Sequence, residues 1–174
     1  MNKIIILLTL HLIFFFSYAS PEGNLKKFNN NKKEIAFDKN ELAKKWLIKS
    51  IENFFKQETP EMSSITTKTY NKYKSDATNV EMDTEGSLTV EQFNKKWKKT
   101  YDIKYAGVGN GFLISAQDWG KVTVTKCQLL TAKENVYIFQ VIIKDATYKG
   151  SYKRDIKVIE SGKLFLIDDV KEYN

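Results

Sequence analysis

The segment Asn135-Val-Tyr-Ile-Phe-Gln-Val-Ile-Ile-Lys144 carries apolar side chains at both odd and even positions. In an extended strand these positions point to opposite faces, so both faces of this segment are expected to be buried. The segment is therefore predicted to be a central strand of a sheet. Three further segments with alternating apolar residues accompany it in the chain, at 121–130, 149–159 and 163–170.

Short connections link these segments and set the direction of the chain. The connections are Lys133-Glu134, 145–147 and Ser161-Gly162. Loops of this length join neighbouring antiparallel strands, because a parallel pair needs a long crossover. The sequence therefore predicts an antiparallel meander, with a weaker strand at 111–116 before it.

The spacing of apolar residues shifts by one within the first strand of this meander. It moves from Val122 and Val124 to Cys127 and Leu129. Because alternate residues of a strand share a face, the shift predicts a β-bulge near Lys126, which would bend the sheet. The strand-like setting of Cys127 also predicts a buried, inert thiol.

The first half of the chain has apolar residues at helical spacing. Three helices are predicted, at 41–56, 60–74 and 89–101. In the first, Trp46 is expected to be buried on the face that carries Leu42 and Phe54. The third begins with Thr89 as N-cap and Gln92 as its capping-box partner. Helices followed by an antiparallel meander define an α+β domain.

This order of elements resembles the nuclear transport factor 2-like superfamily, in which a bent antiparallel sheet curls around N-terminal helices into a cone. The resembling features are helices 41–56 and 89–101, the meander from Lys121, and the closing Gly162-Lys-Leu-Phe-Leu-Ile-Asp-Asp-Val170. The resemblance covers 40–171 and is greatest to secreted or periplasmic bacterial members with no assigned activity. It implies the cone fold but carries over no catalytic residue.

Residues 1–19 have the layout of a signal peptide. Lys3 precedes a short apolar run, and Ser17 and Ala19 place small residues at the −3 and −1 positions. Cleavage is therefore expected after Ala19, which predicts a secreted or periplasmic protein. An uncleaved membrane anchor is the alternative, although the run is shorter than the roughly 20 residues of a spanning helix.

The remaining chain is predicted to contain a flexible lead-in at 20–38 and a single domain at 39–174. The one histidine, His11, lies in the signal peptide, so nucleophile systems with an imidazole base are excluded from the domain. The domain also has a single cysteine, which excludes a zinc site of His and Cys ligands. No cofactor and no metal are therefore predicted.

The charge balance bears on the kind of partner. The net charge is +7, and it becomes +6 when Lys3 is removed with the signal peptide. Nearly all of this charge is lysine, and specific nucleic-acid readout favours arginine, of which Arg154 is the single example. We therefore interpret the charge as a source of solubility, with attraction to an acidic partner or an anionic surface as the further option, and we expect no nucleic acid.

One candidate site follows from the last hairpin. If Ser161-Gly162 is a two-residue loop, Arg154 lies opposite Asp169. Tyr152 shares the parity of Arg154, so the three side chains are predicted to meet in the pocket of the cone. Such a cluster could hold a ligand carboxylate or phosphate. The alternative interpretation is a cross-strand ion pair near the end of the sheet.

Two acidic features invite a metal interpretation. The same register puts Asp155 opposite Asp168. The repulsion between these two carboxylates would be relieved by flanking lysines, by a raised pKa of a carboxyl or by a bound cation. The segment 81–92 imitates a calcium-binding loop, but its last position holds Gln92, which cannot supply the bidentate carboxylate. An acidic loop between helices is the preferred interpretation.

Two classes of function remain open. The first is an exported, non-catalytic module that binds an unidentified ligand or protein through the cone pocket or the outer face of the sheet, and this class includes immunity-type neutralisation of a toxin. The second is a histidine-free enzyme with Asp169 or Asp168 as base and a tyrosine as acid. A homodimer through the sheet is also open, and stable membrane insertion after cleavage is not expected.

Overall fold

The structure is a computed structural model, and it describes residues 39–83 and 85–173. The predicted signal peptide and lead-in, residues 1–38, lie outside the described residues. Within the described part, no helix is both long and apolar enough to cross a membrane. Helices come first and a four-stranded antiparallel sheet follows them, which confirms the predicted α+β class.

Helix α1 spans residues 39–54 and packs into the core through a stripe at three-to-four spacing. The buried members of the stripe are Ala43, Leu47, Ile51 and Phe54. Trp46 is half-buried, with its ring centre 5.9 Å from that of Phe165, and Leu42 is 49% exposed. Full burial of Trp46 beside Leu42 is therefore a wrong prediction, because both residues lie at the margins of the stripe.

The second helix begins later than the sequence predicts. A 3₁₀ turn at Met62–Ser64 is followed by helix α2 at Lys68–Met82. Between them, Thr66 forms a parallel bridge to the last strand, and the Thr67 side chain caps α2. The predicted helix at 60–74 is wrong at its start. Thr66 pairs with the last strand and Thr67 caps α2, so neither residue continues a helix.

The third helix begins as predicted. Helix α3 spans Val90–Trp97, and its capping box joins the side chains of Thr89 and Gln92 to backbone N–H groups. Its buried face carries Phe93 and Trp97. A single further turn, α4 at Ile103–Ala106, leads towards the sheet.

The four strands follow one another in space as they do in sequence. They are β1 Val122–Lys133, β2 Val136–Asp145, β3 Gly150–Ser161 and β4 Leu164–Tyr173. All neighbouring pairs are antiparallel, and β2 is a central strand, as its sequence predicts. The weaker strand predicted at 111–116 is not formed, since these residues contain one isolated bridge between Phe112 and Ile114.

Three β-bulges interrupt the pairing of the strands. Thr125 and Leu130 are the extra residues in β1, and Asp168 is the extra residue in β4. The first bulge lies beside Lys126, so the bulge predicted from the shift in apolar spacing is confirmed. Each bulge resets the alternation, which keeps apolar residues on one face along a strand.

The last hairpin turns one residue later than predicted. Ser161 pairs with Leu164, so the loop consists of Gly162 and Lys163. Gly162 has a φ of +65°, and it is the one loop residue with a positive φ. Turns of this kind favour glycine at the first loop position, whereas a loop over 161–162 would put a serine there.

The later turn changes the register of the whole hairpin. Arg154 lies opposite Glu172, and Asp169 lies opposite Lys157. The predicted pairing of Arg154 with Asp169 is therefore wrong. The hairpin turn accounts for a shift of two in the pairing, and the bulge at Asp168 adds one more.

The two faces of the sheet have different surroundings. We call the face that packs against the helices the inner face and the opposite one the outer face. The inner face is filled by fully buried side chains, which include Phe139, Val141, Ile143, Ile156, Val158, Ile167 and Val170. The outer face mixes half-buried apolar residues with charged ones, so the accessible chemistry of the sheet lies on that side.

Candidate functional site

Of the three residues predicted to form a site, Tyr152 and Arg154 lie together on the inner face. The guanidinium carbon of Arg154 is 5.5 Å from the centre of the Tyr152 ring. Arg154 is 1% exposed, and its Nη2 is 3.4 Å from Oε2 of Glu172. Asp169 lies on the outer face, because its partner in the ladder is Lys157. The structure thus joins two of the predicted residues and separates the third.

The guanidinium of Arg154 fastens a loop to the sheet. Its Nε donates to the carbonyl of Leu113 at 2.8 Å, and Nη2 donates to Oγ of Ser115 at 3.0 Å. Nη1 donates to two carbonyls of the sheet, at 153 and 173. Burial lowers the pKa of Arg154, and the neighbouring Glu172 carboxylate opposes that shift. These donors bind acceptors of the protein itself. The guanidinium of Arg154 therefore does not hold a ligand anion in the way the sequence analysis predicts.

A second buried cation holds the preceding part of the same loop. Nζ of Lys74 donates to two carbonyls of the segment 106–110, and burial lowers its pKa to about 8. Among the described residues, the hydroxyls of Tyr70 and Tyr73 and Oε1 of Glu172 are buried without a hydrogen-bond partner. The interior beside the inner face is therefore polar as well as apolar.

Asp168 has counter-groups of its own. It accepts hydrogen bonds from Oγ1 of Thr67 at 2.9 Å and from Nζ of Lys157 at 2.8 Å. Asp155 lies opposite Lys171. The predicted like-charge pair of Asp155 and Asp168 is therefore wrong, because the later turn shifts the register and the bulge takes Asp168 out of the ladder.

The outer face contains a groove of about 300 Å³ that crosses the sheet. It is lined by Leu130, Thr131, Ile138, Asp155, Lys157, Asp169, Lys171 and Tyr173. The register aligns these residues in cross-strand rows, one of which runs Thr131, Ile138, Lys157 and Asp169. Because residues opposite each other share a face, side chains far apart in sequence meet in this outer-face groove.

Asp155 is the best-defined acceptor of the groove. Its Oδ2 accepts a hydrogen bond from the Tyr173 hydroxyl at 2.7 Å, and that bond raises the pKa of Tyr173 to about 12. Nζ of Lys153 is 5.1 Å from the centre of the Tyr173 ring. Oδ1 of Asp155 is buried and has no hydrogen-bond partner among the described residues. Asp155 therefore retains acceptor capacity.

Asp169 is the second carboxyl of the groove, and burial raises its pKa to about 6. Both lysines of the groove are paired with carboxylates outside its lining. Lys157 lies 2.8 Å from Asp168, and Lys171 lies 3.7 Å from Asp102. Within the described part of the chain, neither Asp155 nor Asp169 forms an ion pair.

The other predicted features have structural roles. In the loop that imitates a calcium site, Oε1 of Gln92 accepts from the backbone N–H of Thr89 and so completes the cap of α3. No group of three or more His, Cys, Asp or Glu side chains in the described residues could hold a metal ion. Cys127 is half-buried, so the prediction of a fully buried thiol is wrong, and the burial it has raises the pKa of the thiol to about 11.

The sequence analysis missed the groove, although part of its signal is present. Asp155 and Lys157 alternate with the buried Ile156 and Val158, so their common position on the outer face follows from parity alone. The contribution of β4 could not be deduced in the same way. It depends on a bulge at Asp168, within a run that carries no marked shift in apolar spacing.

Comparison with known proteins gives no relative for this chain: no family model matches it, and no curated protein or solved structure is significantly similar to it. The function must therefore be inferred from the chemistry of the site.

Proposed function

We propose that this chain is an exported, non-catalytic binding module that holds a ligand or a protein partner on the outer face of its sheet. The observation that carries the proposal is the contrast between the two faces. The inner face is filled by buried side chains, whereas the outer face has a groove with two carboxyls that form no ion pair with any other described residue. Grooves that combine apolar walls with a few polar groups are typical ligand sites.

The proposal includes the cone fold of the nuclear transport factor 2-like superfamily and a secreted or periplasmic location. The bulges in β1 and β4 support a bent sheet, and the pattern of residues 1–19 supports export. Neutralisation of a toxin by an immunity-type complex is one form that such binding takes. The positive net charge suits an acidic partner in a complex of that kind.

The test compares two leucines with almost the same exposure. Leu130 lines the groove and is 46% exposed, whereas Leu42 lies on α1 and is 49% exposed. The mature protein and its Leu130→Glu and Leu42→Glu variants are immobilised and incubated with cell-envelope extract from the source organism. Captured proteins and small molecules are then quantified by mass spectrometry.

The proposal expects a captured component that is lost with Leu130→Glu and retained with Leu42→Glu. A charged side chain at position 130 would bury an unpaired charge against the bound partner. Equal capture by all three proteins, or loss with the α1 variant alone, would contradict binding on the outer face.

A second function is favoured by one specific contact in the same groove. The Tyr173 hydroxyl donates to Asp155 at 2.7 Å, and the pKa of the neighbouring Asp169 is raised to about 6. A carboxyl with a pKa near neutrality is suited to act as a general base beside a tyrosine acid. The alternative is thus a histidine-free enzyme that moves protons on a small molecule.

This alternative is tested by proton exchange. Small carbonyl compounds are incubated with the protein in D₂O, and loss of their α-proton signals is followed by NMR. An enzyme would catalyse exchange in the wild type and lose it in Asp169→Asn. If every compound exchanges its α-protons no faster than in buffer alone, the result would contradict the enzyme alternative.

A further inference from the structure

Charge is unevenly distributed along the hairpin formed by α2 and α3. No basic residue lies between positions 75 and 94 of the sequence. This part of the chain carries four exposed acids, Glu81, Asp83, Glu85 and Glu91. No acid lies between 62 and 75 or between 92 and 101, where all the charged residues are lysines. The connection between the two helices is therefore acidic, and the sequences at the opposite end of the hairpin are basic.

Side-chain contacts bring the two basic sequences together. The ring centres of Tyr70, near the start of α2, and Tyr101, just after α3, are 5.5 Å apart. Nζ of Lys96 is 2.7 Å from the carboxylate of Asp76, and Lys72 contacts the same carboxylate. Seven exposed lysines share this end of the hairpin, which we call the lysine end: Lys68, Lys72, Lys95, Lys96, Lys98, Lys99 and Lys104.

Few carboxylates offset the charge of the lysine end. Asp76 is buried and is shared by two of the seven lysines. Asp102 lies 3.7 Å from Lys171 of β4, and Asp168 lies 2.8 Å from Lys157 of β3. The other five lysines form no ion pair within the described residues: Lys68, Lys95, Lys98, Lys99 and Lys104. The lysine end therefore keeps an excess of positive charge.

The charges of α2 oppose the dipole of their own helix. The N-terminus of a helix carries a partial positive charge and favours acids, whereas the C-terminus favours bases. α2 has Lys68 in its first turn and Glu81 in its last turn, with no acid in the first and no base in the last. This arrangement lowers the stability of α2, and so does repulsion among the lysines. Helix stability therefore does not account for the segregation of charge, whereas an external anionic partner would account for it.

The composition of the lysine end favours a lipid surface over a protein partner. Protein interfaces are anchored by large apolar and aromatic side chains, and none of the large apolar residues exposed in the described part of the chain lies at the lysine end. Lysine is a point charge that attracts phosphate without the fixed geometry of an arginine fork. Clusters of lysines bind anionic lipids through the sum of such attractions to the headgroup phosphates.

We propose that the lysine end of the α2–α3 hairpin docks reversibly on the surface of an anionic lipid bilayer, with its lysines on the headgroup phosphates. The acidic connection lies at the other end of the hairpin, so repulsion from the same lipids orients the protein with the lysine end towards the bilayer. The lysine end contributes no residue to the outer-face groove, so the inference goes beyond the proposed function and does not depend on it.

The experiment measures binding of the mature protein to lipid vesicles by co-sedimentation. One set of vesicles is phosphatidylcholine with about 30 mol% phosphatidylglycerol, which is anionic, and the other set is phosphatidylcholine alone. Binding is expected with the anionic vesicles at about 0.1 M salt, and it should be lost at about 1 M salt, where charges are screened more strongly. The neutral vesicles should bind no protein.

Two matched double variants locate the contact. Lys98→Gln with Lys99→Gln removes two charges of the lysine end that form no ion pair in the described structure. Lys45→Gln with Lys49→Gln removes two exposed charges of α1 that are equally without an ion pair there. The first variant should weaken partition into anionic vesicles by about tenfold or more, and the second should stay within about twofold of the wild type. Equal circular-dichroism spectra and unfolding midpoints are the control for folding.

The outcomes decide between a lipid surface and other anions. Salt-sensitive binding to the anionic vesicles that requires Lys98 and Lys99 supports the proposal. No binding to these vesicles, or equal weakening by the two double variants, overturns it. Inorganic polyphosphate is the soluble probe, and its binding is measured by calorimetry. If polyphosphate binding requires Lys98 and Lys99 while vesicle binding does not, the lysine end takes a soluble polyanion and the lipid proposal is wrong.

Discussion

Arg154 and Asp169 show how one position in the ladder decides the role of a residue. Arg154 is buried, and its donors reach the loop at 113–115, the sheet carbonyls and Glu172. Asp169, on the outer face, keeps a carboxyl without an ion pair in the described part of the chain. Removal of Glu172 leaves Arg154 as a buried charge without its ion-pair partner, which is costly, whereas neutralisation of Asp169 breaks no ion pair among the described residues.

The first prediction concerns the pair of Arg154 and Glu172. Arg154→Met alone should lower the free energy of unfolding by about 3–5 kcal/mol, because Glu172 is left buried without its ion-pair partner. The double variant Arg154→Met with Glu172→Leu should cost less than the sum of the single changes by about 1 kcal/mol or more. Urea unfolding measures all three.

The control for this cycle combines Arg154→Met with Asp169→Asn, whose side chains lie on opposite faces. These two changes should add to within about 0.5 kcal/mol. Strong coupling of Arg154 to Asp169, with none to Glu172, would contradict the observed register. It would support the register predicted from the sequence, in which Arg154 lies opposite Asp169.

The second prediction is a pH dependence at Asp169. Burial raises its pKa from 3.8 to about 6, so its contribution to stability is fully present below pH 3.8 and is lost as the pH rises through 6. The charged groups around it are Asp168, Lys157 and Lys171. Asp169→Asn should match the wild type near pH 4 and be more stable at pH 7.5 by about 1 kcal/mol, a value reduced for partial exposure.

Thermal unfolding at several pH values tests this expectation. Asp118→Asn, which changes an exposed carboxyl outside the groove, is the control for the substitution itself. A stability difference for Asp169→Asn that is flat between pH 4 and pH 7.5 would mean that the carboxyl titrates normally in the folded protein.

At the scale of elements, the sequence predicted the features that depend on neighbouring residues, but it did not predict where the turns lie. The cap of α3, the bulge at Thr125 and the central position of β2 follow from the residues themselves. The start of α2 and the register of the last hairpin depend on contacts made elsewhere. Thr66 pairs with β4 in a bridge that no local propensity indicates, and Gly162 takes the first loop position to meet its positive φ.

The third prediction tests the buried face of α1. Leu47 is 0% exposed and Leu42 is 49% exposed, so the same truncation on one helix samples both environments. Leu47→Ala should lower the free energy of unfolding by about 2–5 kcal/mol, through lost burial and the cavity left behind. Leu42→Ala should cost within about 0.5 kcal/mol. Equal costs in denaturant unfolding would mean that α1 is packed through a different stripe.

For the whole molecule, the sequence predicted the α+β class and the four strands of the meander. It did not predict the groove, because that site joins β1 to β4 through two intermediate strands and three bulges. Two of the three predicted site residues, Tyr152 and Arg154, lie together because they share parity, as the sequence predicts. They share the inner face, where Arg154 fastens a loop.

The fourth prediction concerns export. The pattern of Lys3, an apolar run and Ser17 to Ala19 predicts cleavage after Ala19. Intact-mass analysis of the protein isolated from the periplasm or medium of its source should give a chain that begins at Ser20. A membrane fraction that holds the chain with Met1 retained would contradict cleavage and favour an anchor.

The central claim is that the outer face of the sheet holds the partner, and site-specific photo-crosslinking in cells tests it most directly. A benzophenone amino acid is introduced at Thr131, an exposed residue of the groove, and in a second variant at Asn53, an exposed residue of α1. The account predicts a discrete adduct of higher mass from position 131 and none from position 53. Adducts from position 53 alone, or no difference between the two positions, would contradict it.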